Sequence, residues 1–139
     1  MLLTSFVYKK MLSMPHVPPE SGGILGGSNK IISEFIFDEG ISNIDSAIYK
    51  PNTTFLNKQI ENWSNRNIEL YGIVHTHPKK QNTLSVDDME YIKKILLAAP
   101  SNISYLFFPV VLPHFKVFSY IATLEEGKLT IYADDIIII

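Results

Sequence analysis

Two histidines, a serine and an aspartate stand together in the stretch HTHPKKQNTLSVDD, where His75, His77, Ser85 and Asp88 satisfy the spacing H-x-H-x7-S-x2-D. Upstream, Glu20 leads directly into SGGILGG. The chain has no Cys, so any metal it holds must sit on imidazole and carboxylate. Each of these residues also has an ordinary reading. Two His two positions apart on a strand can be packed side chains, and Glu20 can be a surface carboxylate. Ser85 and Asp88 fit a capping box, in which the hydroxyl accepts from the third helical amide and the carboxylate reaches back to the cap. Gly22, Gly23, Gly26 and Gly27 can serve a bend or close packing. Asp88, however, shares a helical stripe with Ile92 and Ile95 and so faces inward. An unpaired carboxylate is costly there and calls for a cation or several hydrogen bonds.

The surrounding elements must place these groups. IELYGIVHTHP is apolar on both parities, with Ile68, Leu70 and Val74 on one face and Tyr71 and Ile73 on the other. That is the pattern of a strand buried on both sides. Residues two apart on a strand share a face, so His75 and His77 project to one spot beyond Ile73, and Pro78 ends the pairing. Ser85 opens a helix with Asp88, Ile92, Ile95 and Ala99 on one stripe, closed by Pro100.

Earlier in the chain, Leu3, Phe6, Val7, Met11 and Met14 recur at helical spacing after Thr4, and Pro15 stops that helix. The proline-rich stretch Pro15 to Pro19 is an extended connection that delivers Glu20. SGGILGGSNK and IISEFIFDE read as two strands joined by a turn near Gly27 to Asn29, and SAIYK as a third. Asn52 or Thr53 caps a helix with Phe55, Leu56, Ile60 and Trp63 inward, ending near Asn65. ISYLFFPVVL, FKVFSYIATL and GKLTIYADDIIII read as strands, with the terminal DDIIII laid on the sheet. Trp63, Phe107, Phe108, Phe115 and Phe118 read as core, and His16 and His114 as loop residues rather than further ligands. Helices early and in the middle, with strands between and after them, predict an α+β fold: one mixed, curved sheet flanked by helices, spanning residues 1–139 as a single domain.

Taken together, Glu20 and the H-x-H-x7-S-x2-D run resemble the JAMM motif of the MPN family, also called JAB, in its compact prokaryotic form. The resemblance extends from the first amphipathic helix through ESGGILGG, the helix bearing Phe55 and Trp63, YGIVHTHP and LSVDDMEYIKKIL. The remaining residues match only in strand character. The resemblance implies a cytidine-deaminase-like fold, with a mixed sheet packed between helices, and a zinc metallopeptidase site holding one Zn2+ per chain. By the motif, His75, His77 and Asp88 would bind zinc, Glu20 would act as general base and acid, and Ser85 would help hold the oxyanion. Three N/O ligands leave tetrahedral zinc one open position for water, which loses a proton near neutral pH. Glu20 would take that proton and pass it to the leaving amine, and a hydroxyl at a helix start suits the oxygen of the tetrahedral intermediate.

The resemblance further implies hydrolysis of the peptide or isopeptide bond after the Gly-Gly-type tail of a ubiquitin-like or small carrier protein. Such a tail binds as an extended strand at a sheet edge, and the edge beside ILGG or the loop Pro78 to Leu84 are candidate contacts. That loop is short, which favours a small ubiquitin-like or carrier tail over ubiquitin chains. The alternative from a different class is a non-catalytic MPN-type scaffold or protein-interaction module. Such domains typically lack one or more motif positions, whereas this chain retains all five.

Composition removes other classes. A net charge of −2, with no basic cluster beyond a Lys pair, argues against nucleic acid as a partner. At 46% hydrophobic and 19% charged residues the chain is expected to fold on its own. No apolar run is long enough to span a bilayer and the opening MLLTSFVYKK is not a secretory leader, so no membrane partner and a cytoplasmic location are expected. The oligomeric state is open, with a dimer among the options. A TIM-barrel metallohydrolase needs about 250 residues. A zinc nucleobase deaminase needs H-x-E and a downstream Cys pair, and the metallo-β-lactamase pattern would continue into Asp-His where this chain has Pro-Lys.

Overall fold

Capping and apolar spacing define three helices in the computed structural model of the chain, which describes residues 1–41, 48–78 and 80–139. Helix α1 (Ser5–Leu12) starts at Thr4, whose hydroxyl accepts from the Val7 amide. It buries Val7 and Met11. Phe6, expected inside, is 62% exposed with the Lys10 ammonium 5.0 Å above its ring, because it flanks the Val7–Met11 stripe. Leu3 is buried but belongs to a short strand, β1 (Leu2–Leu3), ahead of the helix. Helix α2 (Thr53–Asn65) is capped by Asn52, which accepts from the Phe55 amide. It buries Leu56 and Trp63, while Phe55 stays exposed at the outer flank. Helix α3 (Val86–Ala98) starts at Ser85 and buries Ile92 and Leu96.

The remaining strands are β2 (Gly22–Ser28), β3 (Ile31–Asp38), β4 (Glu69–Thr76), β5 (Tyr105–Phe107), β6 (Val110–Leu112), β7 (Lys116–Glu125), β8 (Lys128–Asp134) and β9 (Ile137–Ile138). A tight turn through Asn29 and Lys30, both at positive φ, joins β2 to β3. ISYLFFPVVL is broken at Phe108–Pro109 into β5 and β6, since proline brings no amide to a ladder. Both pieces lie parallel to β4 and antiparallel to β7. Within SAIYK, the described residues do not form the expected strand. Residues 46 and 47 lie outside the described residues, and Ile48 to Lys50 form no ladder, their backbone being tied instead to the turn after β3. Phe115, expected in the core, is 58% exposed in the turn between β6 and β7, where its amide donates to Leu112.

Across the sheet the order is β8, β7, the β5/β6 position, β4, β2, β3, β1, β9. Strands β8 and β9 follow one another in the chain, yet they stand at opposite ends of that order. The sheet must therefore curl until its ends approach, which is the expected curvature. Helix α1 covers one face, where Val7, Met11 and Met14 meet Leu25, Ile32, Val74, Val111 and Val117. Helices α2 and α3 cover the other, with Trp63 and Leu56 on Ile24 and with Ile92 and Leu96 on Leu106, Phe108 and Val110. A Cβ at Gly26 would sit 2.6 Å from the Trp63 ring, so glycine is what allows α2 this close to β2.

One face assignment on β4 is reversed. The β2–β4 register slips where Leu25 faces Gly72 and Gly26 faces Leu70, which leaves Tyr71 as the extra residue of a β-bulge. The bulge flips the parity below it. Tyr71 therefore joins Val74 under α1, while Leu70 joins Ile73 under α2 and α3.

Candidate metal centre

Strand β4 carries His75 and leads into His77, and both rings emerge on the side of α3. The two Nε2 atoms are 2.8 Å apart, with the rings edge-on at 75°. Asp88, in the first turn of α3, brings Oδ2 to 3.4 Å from His75 Nε2 and 3.2 Å from His77 Nε2. Among the described residues this is the one group of three or more His, Cys, Asp or Glu with ligand atoms close enough to share an ion.

Ser85 and Asp88 form the capping box. Asp88 N–H donates to Ser85 Oγ at 3.0 Å, and Ser85 N–H donates to Asp88 Oδ2 at 2.8 Å. The ordinary and the chemical readings of this pair are thus compatible, because the cap aims the carboxylate at the two imidazoles. Accepting one bond leaves the exposed Ser85 hydroxyl its own proton to donate.

Charge in the cluster follows its contacts. Burial opposes ionisation of Asp88, but hydrogen bonds from His75 and His77, the His75 charge and the Ser85 amide overcome it and hold the carboxyl far below its ordinary range. Burial likewise opposes protonation of His77, yet its bonds to Asp88 and to the Gln81 carbonyl leave its pKa raised. His77 Nδ1 donates to Gln81 O at 2.9 Å. A carbonyl only accepts, so Nδ1 carries a proton, and when Nε2 releases the one it directs at Asp88 it offers a lone pair to a metal. No sequence signal could have named this partner, because any residue supplies a backbone carbonyl.

Glu20 lies half-buried just before β2, close enough to feel both imidazoles and Asp88. Its pKa is raised by burial and by Asp88, against the opposing pull of His77, His75 and the Tyr49 backbone amide. The backbone next to it is clamped to β4 from between the two histidines. Thr76 N–H donates to Ser21 O at 2.8 Å, Ser21 N–H donates to Thr76 Oγ1 at 2.9 Å, and the Thr76 hydroxyl reaches Ser21 O at 3.3 Å. Sequence reasoning passed over Thr76. Its signal was present, since a threonine alternating with the histidines must point into the opposite, buried face and find partners there.

The donor set fits zinc. Ligand atoms of a tetrahedral zinc site with bonds of about 2.0–2.1 Å are about 3.3 Å from one another. The three contacts here run from 2.8 to 3.4 Å. His16 and His114 are not part of the cluster; they stack on each other in exposed loops, with ring centroids 4.4 Å apart. The edge beside ILGG is not available to a peptide, because β2 is paired to β3 on one side and β4 on the other. A groove of about 840 Å3 does open between α2 and α3, walled by Leu56, Ile60, Tyr91 and Ile95 over Ile24 and Ile73. No helix among the described residues is long and apolar enough to cross a membrane.

Known proteins share this fold. The sequence profile of prokaryotic homologs of the JAB domain matches residues 6–125. Among curated proteins none matches in sequence. A solution structure of a Desulfitobacterium hafniense protein is similar over 99% of this chain and 91% of its own, at TM-score 0.65 and 15% identity. A crystal structure of a JAB1/MPN domain protein from Archaeoglobus fulgidus is similar over 100% and 99%, at TM-score 0.53 and 16% identity. A Salinibacter ruber protein is similar over 99% and 90%, at TM-score 0.59 and 12% identity. At these identities the structural likeness shows the fold, and with the profile match it establishes that the chain belongs to the prokaryotic JAB-domain branch of the JAB/MPN family.

Proposed function

We propose that the protein is a zinc-dependent metallopeptidase or isopeptidase that cuts after the Gly-Gly-type tail of a ubiquitin-like or small carrier protein. The observation that carries this reading is the convergence of His75, His77 and Asp88 at zinc-ligand spacing beside a protonatable, half-buried Glu20. His75 Nε2, His77 Nε2 and Asp88 Oδ2 would hold one Zn2+ per chain. A zinc ion so held supplies Lewis acidity, lowering the pKa of water toward neutrality and polarising the scissile carbonyl.

Glu20 takes the proton of the attacking water and hands it to the departing amine, and its raised pKa suits both halves of that transfer. The Ser85 hydroxyl donates to the oxygen of the tetrahedral intermediate from its fixed place at the start of α3. Gln81, through its carbonyl, keeps His77 in the ligating tautomer. The substrate tail runs along the groove between α2 and α3, whose walls include Ile73 and Tyr91, two residues before His75 and three after Asp88. Pro78 to Leu84 is too short to grip a second ubiquitin, so a small tail-bearing partner is the better fit.

The test is turnover of peptides carrying Gly-Gly joined to a lysine side chain or to aminomethylcoumarin, by zinc-loaded wild type beside Glu20→Gln. The variant should keep its zinc and lose about 10^2–10^4-fold in kcat. Equal rates would end the mechanism, and a wild type that takes up no zinc would favour a non-catalytic scaffold in which the cluster is only an ion pair.

A further inference from the structure

We propose that Asp38 and Tyr49 are positioning residues for the Glu20 carboxylate, forming a support built by the connection between β3 and α2 rather than by the elements that carry the ligand cluster. The proposal rests on Glu20 being the proton carrier, as read above. Glu20 lies in no strand or helix, and the Thr76 clamp fixes the backbone of the next residue, not the Glu20 side chain. Something else must aim the carboxylate.

Asp38 ends β3 and is 4% exposed. A carboxylate buried that deeply needs donors, and the described residues supply three. Gly40 N–H donates to Oδ1 at 2.9 Å, while the Tyr49 hydroxyl at 2.7 Å and Asn52 N–H at 2.9 Å donate to Oδ2. One side chain thus ties down the exit from β3, the entry to α2 and a residue between them. Ile41 N–H donates to Lys50 O at 2.8 Å and draws the two ends of the connection together. Gly40 sits at φ +85°, a conformation that strains any side chain.

The result is a fixed Tyr49. Its hydroxyl is anchored on Asp38, and its ring lies over Gly22, where a Cβ would be 2.4 Å from Tyr49 Cε2. Gly22 is two residues from Glu20, so the ring is seated on the segment that presents the carboxylate. With the hydroxyl bonded to Asp38 and the ring edges against Gly22 and Gly40, Tyr49 is fixed, and its backbone amide is a hydrogen-bond donor to the Glu20 carboxylate. A phenylalanine would still fill the space over Gly22 but would lose the anchor on Asp38.

The experiment uses the zinc-loaded full chain, with Tyr49→Phe and Asp38→Asn, and has two readouts. With a Gly-Gly-aminomethylcoumarin peptide, each variant should lose about 10-fold in kcat with KM and zinc content unchanged, since a small misplacement of a reacting group costs up to about 10^2-fold. On a Glu20→Gln background neither should cost anything more. Independently of turnover, the Tyr49 amide resonance should move on Glu20→Gln, and that response should vanish in Tyr49→Phe. If wild type has no turnover but the amide responds in this way, the support stands and the catalytic reading fails. Wild-type kcat in Tyr49→Phe, or a Tyr49 amide indifferent to Glu20→Gln, overturns the proposal; Tyr49→Phe keeps the test sound should Asp38→Asn fail to fold.

Discussion

Asp88 holds two posts at once, as the capping partner of Ser85 and as the anion facing two imidazoles, and Asp88→Asn separates them. The amide retains an oxygen that can accept from the Ser85 N–H now bonded at 2.8 Å, so the start of α3 should survive. What disappears is the charge lying 3.2 and 3.4 Å from the two Nε2 atoms. Loss of an outer partner of a metal ligand typically costs about 10–100-fold in affinity, so loss of a ligand's charge should cost at least about 100-fold. At a zinc concentration about 100 times the wild-type Kd, binding stabilises the folded chain by about 2.7 kcal/mol, and a 100-fold weaker site leaves about 0.4 kcal/mol. For a chain of this size that corresponds to a zinc-induced rise in Tm of about 8–13 °C in wild type and about 1–2 °C in the variant. Thermal melts with and without zinc, paired with competition against a chromophoric chelator, read both quantities. Ser85→Ala is the matched control: it should lose about 1 kcal/mol of stability in both states and keep the zinc-induced shift. If Asp88→Asn shows the wild-type shift and affinity, Asp88 is a helix cap and not a ligand.

Zinc affinity should fall as pH drops through the raised pKa of His77, because an imidazolium has no lone pair to give, and should level off above it. The zinc-free chain should behave in the opposite way. The contribution of the His77–Asp88 pair to its stability is full below the ordinary histidine value of 6.5 and is lost as pH rises through the folded pKa. On the acid side the contribution is present above 3.8, the ordinary value of Asp88, and is lost as pH falls through that group's much lower folded value. Chelator competition across pH 5–9, and denaturant titration of the zinc-free chain from pH 2 to 9, check these signs. Thr76→Val should destabilise the chain by about 1–3 kcal/mol by leaving the buried Ser21 amide without its acceptor, and Thr76→Ser should recover most of it, as urea titrations will show.

Much of the site was legible because it is local. Two positions along a strand share a face, and three positions into a helix return to the cap, so H-x-H and S-x2-D each carry their own geometry. Thr4, Asn52 and Ser85 were readable as caps for the same reason, and their helices start there. Faces on β4 were legible only as far as Gly72, since the bulge that sends Leu70 to the side of Ile73 is set by pairing with β2. Phe6, Phe55 and Phe115 show the related failure of treating apolar residues as buried when each lies just off a packed stripe or in a turn.

By itself, the sequence determined which residues could ligate and which helices would form, because caps and side-chain periods act over a few residues. Only the tertiary structure decided how those pieces meet. Pairing of Gly22 with His75 across β2 and β4 brings Glu20 beside imidazoles more than fifty residues away in the chain. Closure of Gly40, Tyr49 and Asn52 onto Asp38 keeps Ile48 to Lys50 out of the expected strand and seats Tyr49, because a buried carboxylate must be met by donors. Curling of the sheet brings β8 and β9, at opposite ends of the strand order, back toward each other, with one face buried under α1 and the other under α2 and α3. These are contacts between distant segments, settled by packing and by the need to satisfy buried polar groups, and no local spacing encodes them.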